Sequence, residues 1–237
     1  MKLTNRLKAI AELIEEDVVV GDIGSDHGYL MAYLIEKNII KRGIASDINE
    51  GPVKNCEETV RAQGFENQID VRLGGGLLPY KSNEIHTAVI AGMGGQLIRD
   101  IIIESDVSKT VDTFILQPMT GQDVLRKWLV NNNFNIVKEV IANEQDRYYE
   151  ILVVKHGQQE LTKVAWMNHI DMTDDLIYEI GFRMTMSEDY KGFIEKKIQK
   201  YEVIKANIEK NSKSSDKLNT VKNYLDKLYE VKKCIQI

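Results

Sequence analysis

Val20-Gly21-Asp22-Ile23-Gly24-Ser25-Asp26-His27-Gly28-Tyr29 carries a short β-branched run through a glycine turn and directly into the helical pattern of residues 29–38. A strand that ends in glycines and opens a helix reads as the first βα turn of a parallel sheet, where glycine lets the backbone approach a nucleotide-like ligand. A dinucleotide site asks for G-x-G-x-x-G, with its pyrophosphate on the helix N-terminus. Here the spacing is D-x-G-x-D-x-G, and Asp26 stands where a central glycine would be. Asp22 and Asp26 would repel a pyrophosphate, so a ligand bearing a cationic amine suits the turn better. The alternative reading is a tight turn with a capping aspartate and no ligand.

Outward from this turn, β-branched apolar runs alternate with amphipathic stretches as far as residue 155. That pattern gives a parallel sheet with helices on both faces. The predicted strands are 18–22, 40–47, 68–72, 86–91, 112–117, 134–141 and 148–155, with helices at 29–38, 50–63, 95–104 and 121–131, the last packing Trp128 inward. Only Ala142 to Arg147 separate the last two strands, too few residues for a crossover helix, so these strands pair as an antiparallel hairpin.

After His156-Gly157 no proline follows, strand patterns stop, and Lys and Glu rise. A domain boundary is therefore expected between 1–157 and 158–237. One or two helices are expected within 161–187. Beyond them Ile194, Ile198, Tyr201, Lys205 and Ile208 form one seam of heptad spacing, and Leu218, Val221, Leu225, Leu228, Lys232 and Ile235 form another. The stretch NSKSSD (211–216) turns between them, which makes an antiparallel helical hairpin.

Composition narrows the class. With 43% hydrophobic and 28% charged residues and three prolines, the chain can bury a core and is neither disordered nor fibrous. Its two cysteines, Cys56 and Cys234, offer no disulfide framework, which suits a reducing cytoplasm. Neither a signal peptide nor a membrane span is expected. His86, His156 and His169 lack partners at ligand spacing, so no metal site is expected. The net charge of −5 argues against a nucleic-acid partner, yet it is the average of −11 over residues 1–190 and +6 over Lys191–Ile237. The basic tail reads either as the solvated faces of a coiled coil or as a grip for RNA.

Asp47, in IASDINEGP at the end of the second strand, can take both hydroxyls of a ribose or can cap the next helix. After strand four the chain reads Ala91-Gly92-Met93-Gly94-Gly95, without the Asp/Asn-Pro-Pro-aromatic stretch common in enzymes that methylate exocyclic amines. A ring nitrogen with an in-plane lone pair needs no base to deprotonate it, only alignment with an electrophile, which is worth roughly 7–11 kcal/mol. DIGSDHGYL (22–30), SDINEGP (46–52), AGMGG (91–95), LQPM (116–119) and E-x-x-x-YYEI (144–151), followed by a helical hairpin, together resemble class I S-adenosylmethionine-dependent methyltransferases. More narrowly, they resemble the bacterial tRNA adenine-N1 methyltransferases that modify adenine 22, and the resemblance covers the whole chain.

That resemblance implies a Rossmann-like α/β fold of seven strands with a C-terminal helical, coiled-coil-like domain, S-adenosyl-L-methionine as cofactor and tRNA as partner. It implies that Asp22, Gly24 and Gly28 shape the methionine pocket, that Asp47 holds the ribose and that Gly75, Gly76 and Leu77 border the adenine. Gly74-Gly75-Gly76 replaces the acid that many class I enzymes place after strand three, so backbone groups and Asn49 or Leu77 take the adenine. Ala91, Gly92 and Met93 fall on the cofactor side of their loop, and Gly92, Met93, Gly94 and Gly95 leave room for a flipped base opposite Gln117, Pro118 and Met119. Asp26 is the candidate to stabilise the cationic product base. His27 contacts the base or sheds its N6 proton afterwards, or simply orients the loop, with Tyr29 as the stacking alternative. Lys197 and Lys200 are expected on the RNA, and the chain is expected to be a monomer or weak dimer. Two rival readings are a small-molecule or protein methyltransferase with a dimerising tail, and a non-catalytic tRNA-binding protein.

Overall fold

The structure, a computed structural model, describes residues 2–159, 175–211 and 215–235. Seven strands, β1 (Val20–Ile23), β2 (Gly43–Asp47), β3 (Ile69–Leu73), β4 (Thr87–Gly94), β5 (Thr113–Thr120), β6 (Phe134–Glu144) and β7 (Arg147–His156), form one sheet in the order β3-β2-β1-β4-β5-β7-β6. The pairs β2–β3, β1–β2, β1–β4 and β4–β5 are parallel, whereas β7 runs antiparallel to both β5 and β6. All seven sequence-predicted strands are present. Their parallel C-terminal ends gather along one rim, where ligands bind in open α/β sheets.

Around the sheet lie α1 (Asn5–Ala11), α2 (Tyr29–Glu36), α3 (Glu50–Gln63), α4 (Gly95–Glu104) and α5 (Gln122–Asn131), followed by α6 (Asp175–Ile180), α7 (Glu188–Asn211) and α8 (Ser215–Cys234). The helix expected over 29–38 stops at Glu36 because Asn38 takes φ 55, which a continuing helix does not allow. The hairpin loop also differs from expectation. Instead of Ala142 to Arg147 it is Gln145 and Asp146 alone, at φ 51 and 62, and positive φ at both central residues is what a type I′ turn requires.

Alternation along the strands divides the apolar side chains between two faces. Val20, Ala45, Val89, Ile115 and Ile151 pack with Ile10 of α1, Leu30 and Leu34 of α2 and Val60 of α3. Ile23, Ile44, Ala88, Ile90, Phe114, Leu116 and Leu152 pack on the other face with Ile98 of α4 and Leu125 and Leu129 of α5, and Trp128 closes against Phe134. This second core runs on without a break through Ile177, Phe182, Tyr190 and Ile194 to Leu225 and Leu228, so apolar packing crosses position 157. Each such Leu or Ile contributes about 1.5–3 kcal/mol when fully buried.

A β-bulge between Ile136 and Lys138 shifts the register of β6 and turns Glu139 to the inside, fully buried. There the equally buried Arg126 holds Glu139 Oε1 at 2.6 Å and Glu150 Oε2 at 2.7 Å, and donates to Tyr178 O at 2.8 Å. Glu139 Oε2 accepts from the backbone N–H groups of Phe182 and Arg183 at 2.9 and 2.8 Å, which ties the segment before α7 to the sheet.

The two expected seams meet between α7 and α8: Ile194, Ile198, Tyr201, Val221, Leu225, Leu228 and Ile235 are buried. Pairs Lys232–Glu195 (2.8 Å) and Lys222–Glu209 (4.0 Å) show the helices running antiparallel. Of the expectations for 161–187, α6 is found; residues 160–174, with His169, lie outside the described residues, as do residues 212–214 of the expected turn.

Candidate active site

The rim at the ends of β1 and β4 encloses a cavity of about 220 Å³, lined by Arg6, Asp22, Gly24, Ser25, Asp26, His27, Gly28, Tyr29 and Ala91, among others. Gly28 ends the turn at φ +65 with its Cα face against α3, where an added Cβ would lie 2.5 Å from Cys56 Sγ. Gly24, at φ +80, leaves the corresponding room under Met93 Cε. Both positions suit glycine for backbone conformation and for space. Asp26 does not cap α2: the N-cap is Gly28, with no side-chain cap bond.

Asp22 is the electrostatic centre. Burial pushes its carboxyl up to about 6, against the pull of Ser25 and Arg6 and with a further push from Asp47. No cation lies within ion-pair distance of it among the described residues. A buried acid of this kind is completed by a cationic ligand group. Arg6 comes from α1, which sequence reading did not mark as part of the site. Its Nη1 donates to Gln117 Oε1 at 2.7 Å, its backbone N–H to Glu144 Oε2 at 3.2 Å, and its Cζ lies 5.6 Å from the centre of the Tyr149 ring. Gln117, expected on the substrate wall, is fully buried and spends its Nε2 on Pro118 O at 3.1 Å. It acts as the strut that aims Arg6.

A carboxylate at Asp22 and a guanidinium at Arg6, both lining one cavity without forming an ion pair, match the ammonium and carboxylate of an amino acid. At the end of β2, Asp47 Oδ1 accepts from the Asn49 N–H at 2.8 Å and from Asn49 Nδ2 at 3.2 Å. That bond fixes Asp47 toward the rim and takes up one Asn49 donor. Beneath both strands the Tyr80 hydroxyl bonds Ser46 Oγ at 2.9 Å. The loop after β3 is pinned by Arg72, which holds Asp70 and Glu84, each at 2.7 Å, and Pro79 O at 2.7 Å. Leu77 is 1% exposed, in the core, and Gly76 abuts Ile101. The exposed apolar groups there are Ile48, which packs beside Gly75, and Leu78.

At the end of β4 the register shifts on either side of Met93, with Gly92 at φ +81 exposed next to Arg6 Nη1. Gly94 is partly exposed. Gly95 is buried, and a Cβ there would meet Gly121 O at 2.6 Å, so its smallness serves the packing of α4 against the β5–α5 turn. Pro118 is buried and Met119 partly exposed. At the cavity mouth Asp26 Oδ2 lies 3.3 Å from His27 Nε2, and the His27 and Tyr29 rings stack at 5.1 Å, with Tyr29 45% exposed. These three form one exposed cluster beside Asp22. Lys197 and Lys200 stand apart on α7; Lys197 pairs with Glu179 at 3.7 Å. His86 Nδ1 accepts from Val19 N–H at 3.1 Å and His156 Nε2 bonds Ser108 O at 2.9 Å. Among the described residues no group of three or more His, Cys, Asp or Glu could hold a metal, and no helix is long and apolar enough to cross a membrane.

A parallel sheet finished by an antiparallel β7, with acids ending β1 and β2 around a glycine turn, is the architecture of the class I methyltransferases, and the profile of the methyltransferase domain family matches residues 3–152. A tRNA (adenine(22)-N(1))-methyltransferase of Bacillus subtilis is 36% identical over 162 residues, covering 68% of each chain. The chain belongs to that family. A candidate tRNA N1-methyladenine-22 methyltransferase of Streptococcus pneumoniae, solved in complex with S-adenosyl-L-methionine, is 30% identical and covers 98% of this chain and 100% of its own, with a TM-score of 0.80. M. capricolum TrmK, solved with S-adenosyl-homocysteine, is 27% identical with full coverage of both chains and a TM-score of 0.77.

Proposed function

We propose that this chain methylates N1 of adenine 22 in tRNA with S-adenosyl-L-methionine as the methyl donor. The observation that carries the reading is the buried Asp22, without an ion-pair partner among the described residues, in one cavity with Arg6 and the glycine turn, in a chain of this family. Asp22 takes the ammonium and Arg6 the carboxylate of the donor's amino-acid end, Asp47 takes the ribose hydroxyls, and Ile48 and Leu78 offer apolar surface to its adenine. Bound there, the donor supplies an electrophilic sulfonium methyl.

The target adenine N1 already carries an in-plane lone pair, so no side chain has to remove a proton before transfer. What the protein supplies is position and charge. The opening at Gly92, Met93 and Gly94 admits a base turned out of its stack. His27 and Tyr29, stacked on each other, give that base a flat neighbour. Asp26, held by His27, faces the charge that develops on the methylated ring.

Two outcomes test these assignments. Labelled methyl is expected to enter an unmodified tRNA transcript and to vanish when adenine 22 is replaced by guanine; equal incorporation into both would refute the substrate. Asp26→Asn keeps shape and removes charge, and is expected to lower kcat by about tenfold to a hundredfold with donor affinity unchanged, less than the roughly hundredfold to thousandfold of a water-excluded stabiliser because Asp26 is exposed. Turnover equal to wild type would remove Asp26 from the chemistry. The protein works without a resident metal in this reading, in the cytoplasm where its substrate resides.

A further inference from the structure

On the same rim, beyond Arg6, a second groove of about 400 Å³ opens between the β6–β7 hairpin tip and α7, lined by Arg147, Tyr148, Phe193, Lys196, Lys197 and Lys200. We infer that this groove seats one unstacked nucleotide of the RNA strand, its base on the aromatic floor and its phosphate on the lysines. The inference rests on RNA being the substrate and goes on to assign a specific subsite to it.

The floor is apolar: Tyr148 and Phe193 meet edge to face at 6.2 Å. The rim is cationic and already engages π faces, with Lys196 Nζ 5.7 Å from the Tyr148 ring centre and Lys197 Nζ 5.2 Å from that of Phe193. Lys196 also donates to Asp146 O at 2.7 Å, which holds it over the groove. Of the neighbouring carboxylates, Glu195 is paired with Lys232 at 2.8 Å and Asp189 accepts from Asn143 N–H at 3.2 Å, while Glu179 accepts from the Tyr201 hydroxyl and takes up Lys197 of the groove itself, leaving Arg147, Lys196 and Lys200 for a phosphate. Among the described residues Arg147, Lys196 and Lys200 have no carboxylate within ion-pair distance.

Stacking surface ringed by lysine and arginine is the combination that binds single-stranded nucleic acid, each base contributing through its π face and each phosphate through charge. An acidic peptide would use the rim and leave the floor idle. Position supports the same occupant. Tyr149 is held between Arg147, at 5.3 Å, and Arg6, at 5.6 Å, so one aromatic residue separates the groove from the donor cavity. A nucleotide held here is a near neighbour of the base being methylated, and holding it keeps the strand from restacking.

The test is the affinity of full-length protein for an unmodified tRNA transcript, measured from low to moderate salt, alongside donor affinity and methyl transfer. Lys196→Gln with Lys200→Gln is expected to raise Kd about tenfold and to reduce the log–log salt slope by roughly 1.4, the value for two single-strand phosphate contacts. Tyr148→Leu is expected to raise Kd by about tenfold with the slope unchanged. Donor affinity stays at the wild-type value in both, which reports an intact fold. Wild-type Kd and slope in both variants, or a loss confined to the lysine pair, would overturn the nucleotide subsite. A wild type that binds tRNA, loses affinity in these variants and yet leaves adenine 22 unmethylated would overturn the functional reading and sustain the groove.

Discussion

Asp22→Asn is expected to stabilise the cofactor-free chain at pH 7.5 by about 2 kcal/mol while weakening S-adenosyl-L-methionine binding roughly a hundredfold. The two effects share one cause. Burial raises the Asp22 carboxyl from 3.8 to about 6, so the folded chain binds its proton more tightly than the unfolded chain does. Stability therefore falls as pH rises from about 4 to about 6, and the cost is present in full above that window. Asparagine removes the buried charge and with it the cost, but leaves the donor's ammonium without a counter-charge. The variant's advantage should accordingly vanish near pH 4, and wild-type donor affinity should fall as pH drops through about 6. Thermal melts across this range with and without donor, together with calorimetry, measure both halves. Unchanged donor affinity, or a variant less stable than wild type at pH 7.5 without donor, would show that Asp22 is not an ammonium site held under electrostatic strain.

The second large effect lies away from the chemistry. Arg126→Met is expected to destabilise the chain by about 3–5 kcal/mol, because it leaves Glu139 and Glu150 charged and buried without their cation. For a chain of this size that corresponds to a fall in Tm of roughly 10 °C. Glu139 also accepts the Phe182 and Arg183 N–H groups, so α7 and the groove it lines should loosen together with the sheet. Replacing Arg126, Glu139 and Glu150 together by apolar residues should recover part of the loss, since unpaired charge rather than lost packing is the main cost. Denaturant unfolding of the single and triple variants decides it; a single variant within about 1 kcal/mol of wild type would mean that water reaches and solvates the two carboxylates.

What the residues disclosed beforehand follows from local rules. β-branched runs and the glycine turn at Gly24 and Gly28 announce a parallel sheet, the short Ala142–Arg147 spacer announces the antiparallel finish, and heptad spacing announces α7 against α8. Asp22 and Asp47 were legible because each ends a strand. What stayed hidden depends on distant pairing. Arg6 enters the site only because α1 packs beside β6 and Gln117 receives its guanidinium, more than a hundred residues away. Gln145 and Asp146 take positive φ with no glycine to mark the turn, and the bulge at Val137 that turns Glu139 inward leaves no pattern of its own. Leu77, Gly95 and Gln117 follow motifs that suggest ligand contact, and the structure buries all three.

The net charge of −5 hides a local arrangement: Asp22 and Asp26 line the cavity at the glycine turn, and Arg147 and the lysines of α7 line the neighbouring groove. The central claim, methyl transfer at this rim to N1 of one adenine in tRNA, is tested most directly by incubating the protein with unmodified tRNA and labelled S-adenosyl-L-methionine, digesting the product, and locating the methylated nucleoside by mass spectrometry. The account predicts 1-methyladenosine at position 22 and nowhere else; label on an exocyclic amine, at another position, or absent from the RNA would contradict it.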